Sequence, residues 1–587
     1  MRKPPGQHPT LIGRVVGIVG STISIQLEDD LAGISPTWNG QLHSIGQIGT
    51  PVSLPQGASS LLASVTRVSL AKVDDESESS TEQIDTHSLT HDRRMLEAQL
   101  LGEIDGLGQF RRGVSSYPSI DDPVHFVSGN DLVAIYPSDA NKDLNVGTLS
   151  ANNSIHVSLA LQPLVMRHSV VVGSTGSGKS SAVSRILQGI LQGPWASSRI
   201  IIIDTHGEYK NAFPSEQHIN LATLDAPFLP GWILPARDIL SVMLRGAPSS
   251  SLVAKFEALV TSARQEFAAT ASWVDLEPEA INADSPIPFD MNSVWYELDK
   301  ANRRTCKDKE KTIDALVAEG DPRELRSASF TPYGPTATEP FKGPENSTFG
   351  TQPDQLRKAI QDPRLAFFSS GAFDDHIKSD PLPDIVNTIL GNTSRISIID
   401  TSEVASAAAE VCVGGILQLA FELAIRGGES SLGRAHPVLL VIEEAHRYFG
   451  SRSSNRVASM YVDRISREGR KYGIGLMLVS QRPSELPATA MSQVGTVIAL
   501  RLNNDTDKAS VSSTLPDSVS GLADSLPSLR TGEAIIAGEA LPLPSRVTLG
   551  RPYPEPTSDD PNISAWLSRP QASLDLSEAI KVWRRNS

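Results

Sequence analysis

Cysteine is nearly absent: the 587 residues contain 2, Cys306 and Cys412. So few cannot build a disulfide framework or a cysteine-based zinc site, and they suit a reducing compartment. No run approaches the roughly 18 uninterrupted apolar residues that a bilayer span requires. The opening MRKPPGQHPTLIG also lacks the apolar core of a signal peptide. The expectation is a soluble, cytoplasmic protein without a membrane partner. Excess positive charge is missing too, with 52 Lys+Arg against 67 Asp+Glu and a net charge of −15. That balance excludes a protein that coats nucleic acid with its whole surface, but leaves room for a local basic channel around a polyanion. With 39% hydrophobic and 20% charged residues, 43 Gly and 40 Pro, the composition is that of a globular protein and excludes a collagen-like, coiled-coil or mostly disordered chain. At about 150 residues per domain the length allows three to five domains.

The first pattern is strand-like. In TLIGRVVGIVGSTISIQLE, Ile23, Ile25 and Leu27 alternate with Thr22, Ser24 and Gln26, the period of a half-buried strand. Gly20-Ser21 suits the two-residue turn of a hairpin. Further short runs at 45–54, 61–71, 95–104 and 123–127 predict a small antiparallel barrel. Among them DDESESSTEQ (74–83) reads as a solvated acidic loop.

From about residue 168 the order becomes strand, loop, helix. HSVVVG is a continuous apolar run suited to a central parallel strand, and Val183, Ile186, Leu187, Ile190 and Leu191 then recur at helical spacing. RIIIID (199–204), SRISIID (394–400), HPVLLVIEE (436–444) and IGLMLVS (474–480) are further buried-strand runs. Together they predict an α/β domain whose site lies at the carboxyl ends of parallel strands. Residues 246–380 interrupt it with helices in FEALVTSARQEF and SVWYELDKANRR and a long irregular Pro-, Gly- and Thr-rich stretch. The layout expected is a barrel over 1–160, a core in two parts over 161–245 and 381–548, the insertion over 246–380, and an extended tail over 549–587.

One motif carries chemistry plainly. Gly173, Ser174, Thr175, Gly176, Ser177, Gly178, Lys179, Ser180 and Ser181 contain the pattern G-x-x-x-x-G-K-[ST], with a strand before and an amphipathic helix after. Glycines there let backbone N–H groups curl around a phosphate at a helix N-terminus. Lys179 would reach the β and γ oxygens, and Ser180 would hold Mg2+. Glu443-Glu444 closes the run VLLVI, where one carboxylate suits the metal shell and the next an attacking water. The commoner residue at the first position is Asp, so Glu443 departs from the usual pattern. Gln481, just past IGLMLVS, is placed to sense a γ-phosphate.

Two features stay open on the residues alone. Asp204-Thr-His-Gly-Glu-Tyr209 is either a catalytic loop using His206 and Glu208 or a structural turn relaxed by Gly207, with Tyr209 packing. Between 447 and 482 stand Arg447, Arg452, Arg456, Arg464, Arg467, Arg470, Lys471 and Arg482 against Asp463 and Glu468, eight basic residues less two acidic, or +6. This is a solvated helix face, a source of arginine fingers for a neighbouring subunit, or a contact for DNA phosphates.

With these residues in view the chain resembles the HerA family of hexameric DNA-pumping ATPases, relatives of FtsK and the conjugation ATPases. The matches are GSTGSGKSS (173–181), IIIDTHGEY (201–209), VLLVIEEAHRYF (438–449), REGRKYGIGLMLVSQRPSELP (467–487) and ALRLNNDTD (499–507), in the family's order and spacing. IGRVVGIVGSTISIQL and FRRGVSSYPSIDDPVH resemble its N-terminal barrel. The resemblance implies a RecA-like P-loop NTPase core with a small N-terminal β-barrel and a helical insertion, and a homohexamer that hydrolyses ATP with Mg2+ while moving double-stranded DNA. It gives Glu443 and Glu444 the metal and catalytic places, and gives Arg470, then Arg467, the place of the finger. It also implies an effector docked on the barrel: the NurA nuclease in archaea, and in bacteria a NurA-like or other nuclease or a sirtuin-like NADase. The tail would brace neighbouring subunits. Two roles are compatible with one ATPase site. The protein is a DNA translocase serving a repair nuclease, or an assembly and regulatory ATPase of an anti-phage defence complex.

Overall fold

The computed structural model describes residues 10–28, 37–38, 41–42, 48–71, 93–127, 129–221, 229–244, 246–333, 339–365, 368, 377–404, 406–427, 432–449, 456–515, 520–557, 576–577, 580–581 and 584. The acidic segment 74–83, Arg452, Trp566, Trp583 and most of the expected tail brace lie outside them. The chain forms two compact units, 1–196 with 476–556 and 197–475 with 557–587.

In the first unit, alternation in the sequence becomes a closed barrel. Leu11–Val19 turns at Gly20, whose φ is +59°, into Thr22–Leu27. The ring then runs through Arg93–Ile104, Ser59–Ala71, Pro51–Gln56 and Pro123–Phe126 back to Leu11–Val19, every pairing antiparallel. The inward residues, among them Ile12, Val15, Ile23, Ile25, Leu54 and Leu61, are fully buried. A seventh short strand, Phe110–Arg112, pairs with the end of Arg93–Ile104.

The expected barrel limit at residue 160 needs correction. Asp143–Leu149 and Asn152–Ala160 form a hairpin that pairs with Ser545–Leu549 in another sheet. A barrel closed by its own six strands offers no free edge to a further hairpin. Leu144 instead packs on the P-loop helix, so closely that a Cβ on Gly189 would lie 2.4 Å from its Cδ1. That second sheet runs Asn152–Ala160, Asp143–Leu149, Ser545–Leu549, Glu533–Gly538, Thr496–Ala499, Ser169–Val172 and Ile474–Ser480. Ser169–Val172 is parallel to both neighbours and wholly buried, as its apolar run requires.

The second unit carries four parallel strands in the order Val438–Ile442, Arg199–Asp204, Ile396–Asp400 and Gln217–Asn220. The polar QHIN of the last gives no apolar signal, and only its place beside Ile396–Asp400 makes it a strand. The helices Ser406–Arg426 and Arg456–Tyr472 are joined through Phe421, edge-on to Tyr461 and Tyr472. In the insertion, Ser250–Thr270, Met291–Arg303 and Gln352–Ile360 are helical, and buried Trp295 donates to the Pro353 carbonyl at 3.0 Å. Buried Arg264 donates through Nη1 and Nη2 to the carbonyls of Ala283, Trp232 and Leu234. Among the described residues no helix is long and apolar enough to cross a membrane.

Candidate nucleotide site

The phosphate loop is a backbone device. Gly173 N–H donates to the Ser480 carbonyl at 3.3 Å, and Ser174 N–H and Oγ both donate to the Arg501 carbonyl, at 2.8 and 3.0 Å. Gly173 has no room for a side chain, since a Cβ would lie 2.5 Å from Ser177 Oγ. Gly176 and Gly178 hold φ of +71° and +100°, a region side-chain-bearing residues rarely adopt. Gly178 caps the helix Lys179–Gln192, which buries Val183, Ile186, Leu187 and Ile190. A Cβ on Gly176 would meet nothing within 4 Å, so the crest of the loop faces open space. Lys179, Ser180 and Ser181 begin the helix, where N–H groups have no intrahelical partners and the dipole favours an anion. Gln481 is brought to this loop: its Oε1 accepts from Thr175 Oγ1 at 2.8 Å.

The carboxylate turn is a side-chain device. Glu443 and Glu444 follow Val438–Ile442 and are only 4% and 5% exposed. The Tyr209 hydroxyl donates to Glu443 Oε1. Burial, then the charge of Glu443, pushes that phenol well up, so it remains a donor. The departure from Asp at 443 thus has a physical counterpart, because the longer Glu side chain is held by Tyr209. Thr205 Oγ1 donates to the Glu443 carbonyl at 3.0 Å and lies 2.9 Å from the Tyr448 hydroxyl. Glu444 sits at φ +47°, a conformation costing on the order of 1–3 kcal/mol and concentrated at functional positions. His446 Nδ1 lies 3.2 Å from Glu444 Oε2, yet that oxygen makes no aligned hydrogen bond among the described residues.

The two readings of 204–209 separate here. Asp204 is fully buried, and its carboxylate accepts from the backbone N–H groups of His206, Gly207, Glu208 and Tyr209, at 3.3, 2.9, 3.1 and 2.9 Å. Burial pushes its carboxyl up to about 6, against the pull of these amides and with Asp400 adding to the rise. The segment is a turn organised by Asp204 that delivers Tyr209 to Glu443. His206 is exposed.

The basic residues divide. Arg464 stacks on Phe421, 4.6 Å from its centroid, and lies 3.5 Å from Glu422. Arg467 pairs with Asp463 at 2.8 Å, Arg482 with Glu485 at 3.0 Å, and Lys471 lies over Tyr472. Arg447 and Arg470 are exposed and make no ion pair among the described residues. Arg452 and the side chain of Arg456 lie outside those residues. Sequence reasoning missed the role of Tyr209, taken only as packing, and missed His446 beside Glu444. The run EEAH offered a signal for His446. Nothing local offered one for Tyr209.

A phosphate loop of this geometry, opening a helix after a central parallel strand, defines a P-loop ATPase. The family model described as "Helicase HerA, central domain" matches residues 144–420. A probable helicase of Methanocaldococcus jannaschii is 26% identical over 512 residues, covering 83% of this chain and 87% of that protein. The DNA double-strand break repair helicase HerA of Pyrococcus furiosus is 24% identical over 487 residues (77% and 76%). That of Sulfolobus acidocaldarius is 25% identical over 472 residues (79% and 80%). Among solved structures, VirB4 of Thermoanaerobacter pseudethanolicus aligns with TM-score 0.46 and 16% identity over 71% of this chain and 98% of that one. The plasmid coupling protein TrwB with an ATP analogue gives 0.44 and 15% over 74% and 94%. The chain is thus similar to HerA helicases along most of its length, and its central part matches their family model.

Proposed function

We propose that the protein is a cytoplasmic, hexameric, ATP-driven translocase of double-stranded DNA whose N-terminal barrel docks an effector such as a nuclease. The observation that carries the catalytic part is Glu444, a buried carboxylate held at positive φ with an oxygen that makes no aligned hydrogen bond among the described residues. Such a group is prepared to take an attacking water.

The open loop fits nucleotide phosphates, with the N–H groups at the start of the helix and Lys179 holding their oxygens. Ser180 and Glu443 would hold Mg2+, which when bound supplies positive charge against the γ-phosphate. Tyr209 keeps Glu443 oriented. Glu444 orients the water and accepts its proton as oxygen bonds to phosphorus and the β–γ bridge breaks. Gln481, tied to Thr175, links the loop to the end of the next strand. Arg470, exposed and without an ion pair among the described residues, is the finger offered to a neighbouring protomer, and Arg467, held by Asp463, stands second. The DNA substrate is supported by relatives that are named DNA repair helicases. A docking role for the barrel is supported by its exposed Val19, Leu70, Tyr117 and Ile120.

The test is ATP turnover of the full chain with and without double-stranded DNA. Stimulation by DNA is expected, and a hexamer indifferent to DNA in binding and turnover would leave the regulatory, effector-assembling role. Mixing inactive Lys179→Ala with inactive Arg470→Ala should restore part of the turnover, since mixed interfaces recombine an intact cradle with an intact finger. No recovery in mixed hexamers removes Arg470 from the role.

A further inference from the structure

A single hairpin in the first unit touches both the phosphate loop and the barrel. It consists of Glu533–Gly538 and Ser545–Leu549. Immediately before it, Gly532 N–H donates to the Ser177 carbonyl at 3.2 Å, and Thr531 Oγ1 lies 3.5 Å from the Gly176 carbonyl. In a trans peptide the carbonyl and the following N–H point in opposite directions. Holding the Ser177 carbonyl from the hairpin side therefore turns Gly178 N–H the other way, as a donor of the cradle.

What holds Gly532 in place is Glu533. Its carboxylate, in a residue 7% exposed, closes the turn by accepting from Arg530 N–H at 2.9 Å and binds Arg546 Nη2 at 2.6 Å. Leu549 N–H donates to the Gly532 carbonyl at 2.9 Å, and Gly532 itself is at φ +79°. Arg530, Glu533 and Arg546 also line a cavity of ≈ 280 Å³ together with the barrel residues Thr50, Ser64 and Leu101. At the hairpin's far end the barrel takes hold again. Arg112 donates through Nε to the Pro542 carbonyl at 2.7 Å and through Nη2 to the carbonyls of Gly538, at 2.5 Å, and Leu541.

We propose that Glu533 is a positioning residue for nucleotide binding, fixing the 530–532 turn under the phosphate loop, and that its hairpin, gripped by Arg112, links the state of that loop to the barrel. The inference rests on reading the loop as the ATP site and adds the part that orients it. A merely structural Glu533 would contribute to folding and leave nucleotide affinity alone.

The experiment compares the full-length wild type with Glu533→Gln, Glu533→Ala and Arg112→Ala. ADP affinity with Mg2+, ATP KM, kcat and thermal melting are measured. Glu533→Ala should weaken ADP binding and raise ATP KM by about tenfold, the scale of one lost charge-assisted hydrogen bond in a buried site. Glu533→Gln, which keeps the shape and can still accept from Arg530 N–H, should recover part of the loss and also serves if the alanine variant does not fold. Arg112→Ala should retain ADP affinity within about twofold. Hydrogen exchange reads the link: ADP should slow exchange in 532–549 and 102–112 of the wild type, but only in 532–549 of Arg112→Ala. Wild-type affinity in folded Glu533→Ala and Glu533→Gln overturns the positioning role. Equal protection of 102–112 in Arg112→Ala overturns the link. A wild type that binds no ADP would instead sink the reading of the loop as the ATP site.

Discussion

Around Gly176 the chain handles phosphate with its backbone: three glycines, a helix start, and carbonyls of Ser480 and Arg501 that brace the loop from behind. Around Glu443 it handles charge with buried side chains: Tyr209 and Thr205, from the turn after Arg199–Asp204, hold Glu443, and His446 stands beside Glu444. The first device is open and depends on conformation; the second is closed and depends on partners. Substitutions should therefore fail differently in the two places. In the loop they lose binding and turnover together, and in the turn they lose turnover while binding persists.

The largest effect expected is from Lys179→Ala, with ATP turnover reduced by at least about 10³-fold and nucleotide affinity lost with it, the scale of a removed phosphate-stabilising cation. Glu444→Gln should cut turnover by about 10²–10³-fold while ADP affinity stays within about twofold. If both variants lost affinity alike, the distinction between the two devices would collapse. Tyr209→Phe, measured in the same assays, is expected to lower kcat about tenfold, because a buried carboxylate loses its donor, at a cost of about 1–3 kcal/mol. A fall confined to KM would place Tyr209 with the loop instead.

The smallest effect sharpens the comparison through pH. Asp204 has a folded value of about 6 against an ordinary 3.8, so between those limits the folded state binds more protons than the unfolded one. Its contribution is fully present below about pH 4 and is lost as pH rises to about 6, at a slope of roughly 1.4 kcal/mol per pH unit at most. Asp204→Asn should flatten that segment of the melting-temperature profile relative to wild type. An unchanged slope would mean that the amides around Asp204 hold its carboxyl near the ordinary value.

What the sequence determined by itself was whatever a contiguous stretch encodes. GSTGSGKSS specifies its loop because glycine sterics and a helix start are local properties. The apolar runs at 199–204, 438–442 and 474–480 specify buried strands because periodicity is local as well. The alternation of 22–27 likewise specified a barrel strand and its hairpin. Tertiary structure alone decided the rest. Tyr209 and Glu443 stand 234 positions apart and meet because Arg199–Asp204 and Val438–Ile442 became neighbours. The hairpin at 143–160 left the barrel because the barrel closed without it, and basic residues that look like one patch were sorted by packing, which set aromatic or acidic groups beside Arg464, Arg467, Lys471 and Arg482. Steric preference and periodicity act along the chain, whereas a partner exists only once strand order has brought it near.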